Sequence, residues 1–563
     1  MSSTSLNTPM SRQSVFITLV LLLSVNLVGC TSRQPTPPSA TAAAGGTGGS
    51  SLFEANIPEP TATALAVAQI IVHADGPTRP FDQRLLGTNV AAWLGPELLA
   101  NPEFQASTIA LGTTLLRMPG GSWSNYYDWH GCEMRDEERC YWPWAARPSD
   151  FLAFARAVDA EIIWTVSPNG TAKEAAALVA FFNGSVDDET VIGVDGRGRD
   201  WQTVGHWARL RSENGSPEPL PVRLWEVGNE VYGGKPAAGG AECAAWGWED
   251  VWTCDGAEYI AGKGEGAERH EGYLEFRNAM RAVDPSILVG AVGVEEPAEW
   301  SAWGNEVIAG AGEQLDFYVV HRYPFGNETP TTEQVLEQPQ LIWPAMRTAV
   351  DAAYERYGAG RRAPIAVTEY NLVANQDLDD NQLMRRAVNA LYTADTIGQL
   401  AEQGVSIANH WNLANGSAEN GTDYGMIDVK TGVHSPQYYG MLLWQRFGSE
   451  LLPVESAFTA ATELSVYAGR TDDGTITVLA INKTDQPIEA SLRIEGIEGV
   501  LEGTIDSVTA DGLDAFEVSL NGMAGSATKL TDAPSQPLGR FEKTTMQTFE
   551  PFSITLLRLT QKR

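Results

Sequence analysis

The chain has 563 residues, 43% of them hydrophobic and 19% charged, enough for two or three folded units of ordinary globular composition. A net charge of −33 argues against nucleic acid and anionic membrane surfaces as partners and suits the solubility of an exported protein. The 17 Trp and 16 Tyr supply flat apolar faces of the kind that sugar rings stack on, although most of them must serve in cores.

Arg12 precedes a short apolar stretch, Phe16 to Val28, too brief for a membrane span and closed by Leu27-Val28-Gly29-Cys30. This resembles a bacterial lipoprotein signal. The resemblance implies a signal over residues 1–30, lipidation of Cys30 and attachment to a membrane through that N-terminal anchor alone. Residues 31–62, rich in Pro, Thr, Ala, Gly and Ser, read as a flexible tether. Four further cysteines, Cys132, Cys140, Cys243 and Cys254, allow three pairings. The local pairs Cys132–Cys140 and Cys243–Cys254 are favoured, each stapling one loop in an oxidising compartment. The spacings hold no CxxC pair and no clustered His, which disfavours zinc.

Residues 63–80 carry an apolar, β-branched strand, Ala64–His73, expected to join a later sheet. From residue 81 to 447, short apolar strands alternate with helical stretches. The strands are expected at Leu85–Val90, Thr114–Gly120, Glu161–Ser167, Val222–Glu230, Ile287–Val292, Asp316–Tyr323, Pro364–Asn371 and Ala408–Leu413. Helical patterns fall at Pro148–Val158, Ala172–Phe182, His270–Val283, Pro339–Tyr357 and Asp380–Gln403, and a closing helix at Gln437–Phe447. Eight such units predict an α/β fold, a (β/α)₈ barrel. A doubly wound open sheet is the alternative, but no Gly-rich phosphate loop follows the first strand. Residues 448–563 switch to short alternating strands with turn signals such as Asp472-Asp473-Gly474, the pattern of an antiparallel β-sandwich. No internal repeat is evident.

Polar residues stand at the carboxyl ends of the strands, where a packed barrel must keep its chemistry. They are Arg117, Ser167 and Asn169, Asn229 and Glu230, His321 and Tyr323, Glu369, and Trp411 with Asn412. Aromatic residues, among them Trp123, Tyr126, Tyr127, Trp129, Trp142 and Trp144, crowd the first cysteine loop; Trp246, Trp248 and Trp252 crowd the second. Such loops suit the walls of a ligand cleft. Two carboxyls at strand ends, Glu230 in LWEVGNEVY and Glu369 in IAVTEYN, form the pair that a retaining glycosidase needs, one as acid/base and one as nucleophile. Arg117, His321 and Tyr323 are candidates to keep Glu369 ionised, and Asn229 to hold a sugar 2-hydroxyl.

The stretches LRMPGGSWSNYYDW, NGTAKEAAALVAFFNG, WARLRSENGSPEPLPVRLWEVGNEVYG, DFYVVHRYP and IAVTEYN resemble the (β/α)₈ clan of retaining glycoside hydrolases, most of all the family 51 α-L-arabinofuranosidases. The resemblance implies Glu230 as acid/base on strand four, Glu369 as nucleophile on strand seven and Asn229 as a substrate ligand. Arg117, Asn169, His321, Tyr323, Trp411 and Trp129 complete the candidate substrate-binding set. The chain departs from the family at Thr368 and Tyr370, where an acidic residue and Trp usually flank the nucleophile. It departs again at Gly87-Thr88-Asn89-Val90, which lacks a Gly-x-Phe-x-Glu motif whose Glu helps hold arabinose. An endo-acting β-glycanase of the same clan and a non-catalytic glycan-binding lipoprotein are the competing readings. The expected partner is carbohydrate, and no metal or organic cofactor is implied.

Overall fold

The computed structural model describes residues 68–136, 140, 142–233, 251–252, 254–326, 329–525 and 529–561. Cys30, the signal, the tether and Cys243 with its neighbours Trp246 and Trp248 lie outside the described residues.

Eight parallel strands close into a barrel in sequence order: Gly87–Asn89, Leu115–Met118, Glu161–Val166, Leu224–Val227, Leu288–Val292, Phe317–Arg322, Ile365–Tyr370 and Ile407–His410. Leu115, Ile163, Leu224, Phe317, Val319, Ala366 and Ile407 pack together as an apolar plug inside it. Side chains two apart on a strand share a face. The positions two residues beyond this plug are therefore Arg117, Thr165, Glu226, His321, Thr368 and Asn409, joined by Asn89 on the first strand, and all are buried. The barrel thus carries a polar layer directly above an apolar one.

The seventh strand holds one extra residue. Val320 and His321 face Val367 and Glu369, while Ala408 and His410 face Val367 and Tyr370, so both neighbours skip a position. A bulge of this kind bends a strand and re-aims its side chains. It lets the adjacent Thr368 and Glu369 both reach partners in the barrel mouth. The fourth strand ends earlier than its sequence suggests, at Val227, because Gly228 (φ 85°) turns the chain out of extended geometry and Glu230 (φ 48°) stays left-handed.

Helices begin where the caps allow. Thr171 accepts a hydrogen bond from Glu174 N and opens Ala172–Asn183. The helix expected from Pro339 starts earlier, at Thr332, capped by Thr331, and carries Pro339 and Pro344 inside. The one expected from Asp380 starts later, at Ala387, because the buried Asp379 carboxylate collects Leu383 N and Met384 N and holds tight turns there.

The C-terminal strands form two sheets with a core of their own. The early strand Gln69–His73 does lie in the smaller sheet, parallel to Ile488–Glu495 and antiparallel to Val454–Ser456. The seam with the barrel contains a fully buried ion pair, Lys483 Nζ to Asp395 Oδ2 at 2.7 Å, with Tyr467 Oη donating to Asp395 Oδ1 at 2.6 Å. Removing one partner strands the other charge in the interior. Asp395→Ala is expected to destabilise the fold by about 3–5 kcal/mol, read as a lower midpoint in denaturant, with turnover per folded molecule unchanged.

Candidate active site

Glu230 and Glu369 converge at the carboxyl end of the barrel. One oxygen of each, together with a ring nitrogen of His321, lies within 4.8 Å of the others. Glu369 is 4% exposed, and both its oxygens are engaged: Arg117 Nη1 donates to Oε1 at 2.7 Å and Tyr323 Oη to Oε2 at 2.8 Å. His321 bridges the pair, its Nδ1 being 2.9 Å from Glu230 Oε1 and 3.6 Å from Glu369 Oε2. Its Nε2 is fixed by the Thr368 hydroxyl at 3.1 Å, so the residue that departs from the family pattern orients the imidazole. With a guanidinium and a phenol already on Glu369, this cluster is arranged for proton chemistry and is a poor cation site.

Arg117 is completely buried beneath the carboxylates. Its Nε donates to Glu226 at 2.7 Å, Nη1 to Asn89 at 3.0 Å as well as to Glu369, and Nη2 to Asn229 at 2.9 Å. Arg117, expected at the rim, is thus held inside the barrel, where it grips Glu369 from below. Asn229 is locked by a reciprocal pair with Asn125, its N–H donating to Asn125 Oδ1 and its carbonyl accepting from Asn125 Nδ2, both at 2.8 Å. This pair holds the chain just before Glu230, whose left-handed backbone costs about 1–2 kcal/mol for a non-glycine residue.

Burial pushes the Glu369 carboxyl above its ordinary range and the Glu230 charge adds to this, while His321, Arg117 and the Tyr323 hydroxyl pull it back. Burial pulls His321 down, but Glu369 and Glu230 outweigh it and hold the imidazole above its usual value. Burial and the Glu369 charge keep Tyr323 protonated and hence a donor. A carboxylate that attacks must be ionised, so with Glu369 in that role kcat/KM is expected to fall with acid through a pH above the usual carboxylate range. His321→Gln removes a cation that lowers Glu369, and this acidic limb should then move to still higher pH. A pH profile of the variant checks the sign.

The remaining candidates divide. Trp411 borders the mouth; its ring lies against Gly121 (φ 63°), where a Cβ would come within 2.5 Å of the indole. From it a run of indoles passes through Trp93 (6.0 Å between centroids) and Trp123 (5.2 Å) to Trp142, stacked on Trp123 at 4.0 Å. Asn169 donates to Asn125 O at 3.0 Å and lines a neighbouring cavity of about 580 Å³ with Asn125, Tyr126, Trp142, Glu174 and Arg197. Trp129, expected in the cleft wall, is instead core: it is 4% exposed and packs on Phe181, Trp201 and Trp207. Tyr127 and Trp252 are core as well. The Cys132–Cys140 disulfide is formed. Cys254 is buried, and the pairing expected for it falls on residue 243, outside the described residues. A larger cavity, about 640 Å³, lies at the barrel–sandwich seam beside Gln340 and Tyr467, away from the carboxylate pair.

Asn89, Asn125, Thr165, Glu226 and Thr368 belong to this site and were not among the sequence candidates. A signal existed for those on strands, as polar residues interrupting apolar barrel strands, but none for Asn125.

No family model matches the chain. The arabinose complex of the α-L-arabinofuranosidase from Thermotoga maritima superposes with a TM-score of 0.65 at 19% identity, covering 87% of this chain and 99% of that one. The thermostable enzyme from Thermotoga petrophila RKU-1, a family 51 α-L-arabinofuranosidase, gives 0.66 at 18% identity, with coverage of 87% and 99%. The fold is that of the family 51 α-L-arabinofuranosidases. A family 44 xyloglucanase from Paenibacillus polymyxa also shares it, with a TM-score of 0.55 at 12% identity over 88% of this chain and 99% of that one. In sequence, α-L-arabinofuranosidase C of Emericella nidulans is 26% identical over 200 residues, 34% of this chain and 32% of that protein. The match thus spans about a third of the length of the curated relatives. Within the family 51 fold, Glu230 follows the fourth barrel strand and Glu369 lies on the seventh.

Proposed function

We propose that the protein is a retaining glycoside hydrolase of the arabinofuranosidase type, with Glu369 as nucleophile and Glu230 as acid/base. The observation that carries this is the separation of the two carboxylates, whose nearest ligand oxygens lie within 4.8 Å. Retaining enzymes hold their carboxyl groups about 5–5.5 Å apart, whereas inverting ones leave about 6.5–9.5 Å for a water. Glu369 attacks the anomeric carbon while Glu230 gives its proton to the departing oxygen, breaking the glycosidic bond and leaving a glycosyl ester on Glu369. Glu230, now a carboxylate, takes a proton from water, whose oxygen attacks the same carbon and releases Glu369. Arg117 and Tyr323 balance the charge that returns to Glu369 in this second step. Asn229, His321 and Tyr323 line the sugar pocket.

The cavity beside Asn125 adjoins the segment that holds Glu230, so it suits the leaving-group side of an oligosaccharide, with Trp142 and Tyr126 as stacking faces. Asn169 and Arg197 offer polar contacts there. Val90, Ala91 and Ala92, which follow the first strand, are apolar and buried, so none of the three supplies the acid of the family motif. A second reading, endo action on a β-glycan, draws on this cavity and on the shared fold of the xyloglucanase. The chain is further read as an exported lipoprotein anchored through Cys30, which agrees with a formed disulfide at Cys132–Cys140; no described helix is long and apolar enough to cross a membrane.

Aryl glycosides, arabinan, xylan and β-glucan as a panel test the assignment. Release of single arabinose units supports the first reading. Release of mixed oligosaccharides from xylan or β-glucan replaces it with the endo reading, and no hydrolysis of any member overturns both.

A further inference from the structure

Glu226 is a third carboxylate beneath the catalytic pair, and the reaction as written leaves it without a task. It is fully buried on the fourth strand; its Oε2 receives Arg117 Nε at 2.7 Å and Thr165 Oγ1 at 3.0 Å, while Oε1 has no hydrogen-bond partner among the described residues. A buried carboxylate with an unfilled oxygen is costly, and a neutral group of similar shape would relieve that cost. Packing alone therefore does not account for it.

What Glu226 does is divide Arg117. One guanidinium, fully buried, is shared between two carboxylates, Glu226 and Glu369, at 2.7 Å each. The guanidinium is a planar, rigid fork, so fixing Nε on Glu226 also fixes where Nη1 and Nη2 point, towards Glu369 and Asn229. The charge is divided too. A nucleophile paired with an undivided guanidinium is less basic and attacks more weakly.

We propose that Glu226 is a positioning residue for the nucleophile: it holds the Arg117 fork and takes up part of its charge, so that Glu369 stays reactive. This rests on the reading of Glu369 as nucleophile. The charged and titratable groups facing Glu369 are Arg117 from the second strand, Glu230 after the fourth, His321 and Tyr323 from the sixth, and the loop residues Tyr232 and Tyr424. Glu226 itself faces Arg117 and Tyr259, with Thr165 as a neutral donor. Changing Glu226 therefore acts on Glu369 through Arg117 and through the loss of one negative charge nearby, and both push Glu369 the same way.

The test is the pH dependence of kcat/KM for Glu226→Gln and Glu226→Asp. In Glu226→Gln the acidic limb should move to lower pH by roughly one unit, opposite to His321→Gln, with kcat reduced and KM little changed. Glu226→Asp keeps the charge but withdraws it from Arg117 Nε, and its limb should fall between those of Glu226→Gln and the wild type. A limb that stays in place while stability or kcat drops assigns Glu226 a packing role and overturns the proposal. Should Glu226→Gln fail to fold, Glu226→Asp decides alone: a downward shift supports, an unmoved limb overturns. An active Glu369→Ala variant, by contrast, would remove the nucleophile assignment beneath the proposal.

Discussion

Glu369→Ala is expected to lose turnover by on the order of 10⁴-fold or more, because it removes the attacking oxygen of the proposed double displacement. The structure sharpens this expectation. Both Glu369 oxygens are already aligned, one by Arg117 and one by Tyr323. The variant therefore loses the attacking atom and leaves a buried guanidinium short of one partner, so folding is to be checked by its denaturation midpoint. The space left by the carboxylate admits a small anion. Added azide should restore part of the turnover and give a glycosyl azide of configuration opposite to the substrate. An unchanged rate in Glu369→Ala would exclude Glu369 as nucleophile and would revive the non-catalytic reading only if the wild type were also inert.

Glu230→Ala should behave differently because its task depends on the leaving group. General acid catalysis is worth about 10²–10⁴-fold, and that factor is needed when a sugar oxygen departs but hardly when an activated phenol does. For oligosaccharide the loss is expected in that range; for a dinitrophenyl glycoside the first step should be nearly normal and the glycosyl-enzyme should accumulate, visible as a burst. Azide should here give a product of retained configuration, the opposite of its outcome in Glu369→Ala. Equal losses on good and poor leaving groups would contradict the role given to Glu230. The geometry behind this division is the unequal surroundings of the two acids. Glu369 is held by Arg117 and Tyr323 within the barrel, whereas Glu230 stands at the strand end on a left-handed residue with 16% of its side chain exposed and His321 as its partner.

Much of this was legible in the chain because a barrel strand announces itself as a short apolar run and its end as the first polar residue after it. That rule located Glu230, Glu369, Asn229, His321 and Tyr323. It does not give depth. Arg117 is followed by Met118 within its strand, so it lies inside the barrel and under the site, whereas the same rule places it on the rim as a substrate contact. Glu226 and Asn89 escaped for the same reason: they interrupt apolar strands from within, and only the paired strands show that such interruptions form one layer. Trp129 misled because an aromatic-rich loop is equally able to wall a cleft or to fold into a core. Here the short helix Trp129–Glu133 turns the indole inward. The bulge at Thr368 left no trace in the sequence, since an extra residue in one strand exists only relative to its neighbours. In the sandwich, Leu501–Thr509 is not legible as a strand because Gly503, Asp506 and Ser507 blur its alternation, though it pairs along its full length with Ser553–Gln561.

The claim on which the catalytic account stands is that the two carboxylates are close enough for direct attack and too close for a water between Glu369 and the sugar. Proton NMR of the first sugar released, recorded before mutarotation, measures this directly. The expected product has the anomeric configuration of the substrate; an initial product of inverted configuration would contradict the account.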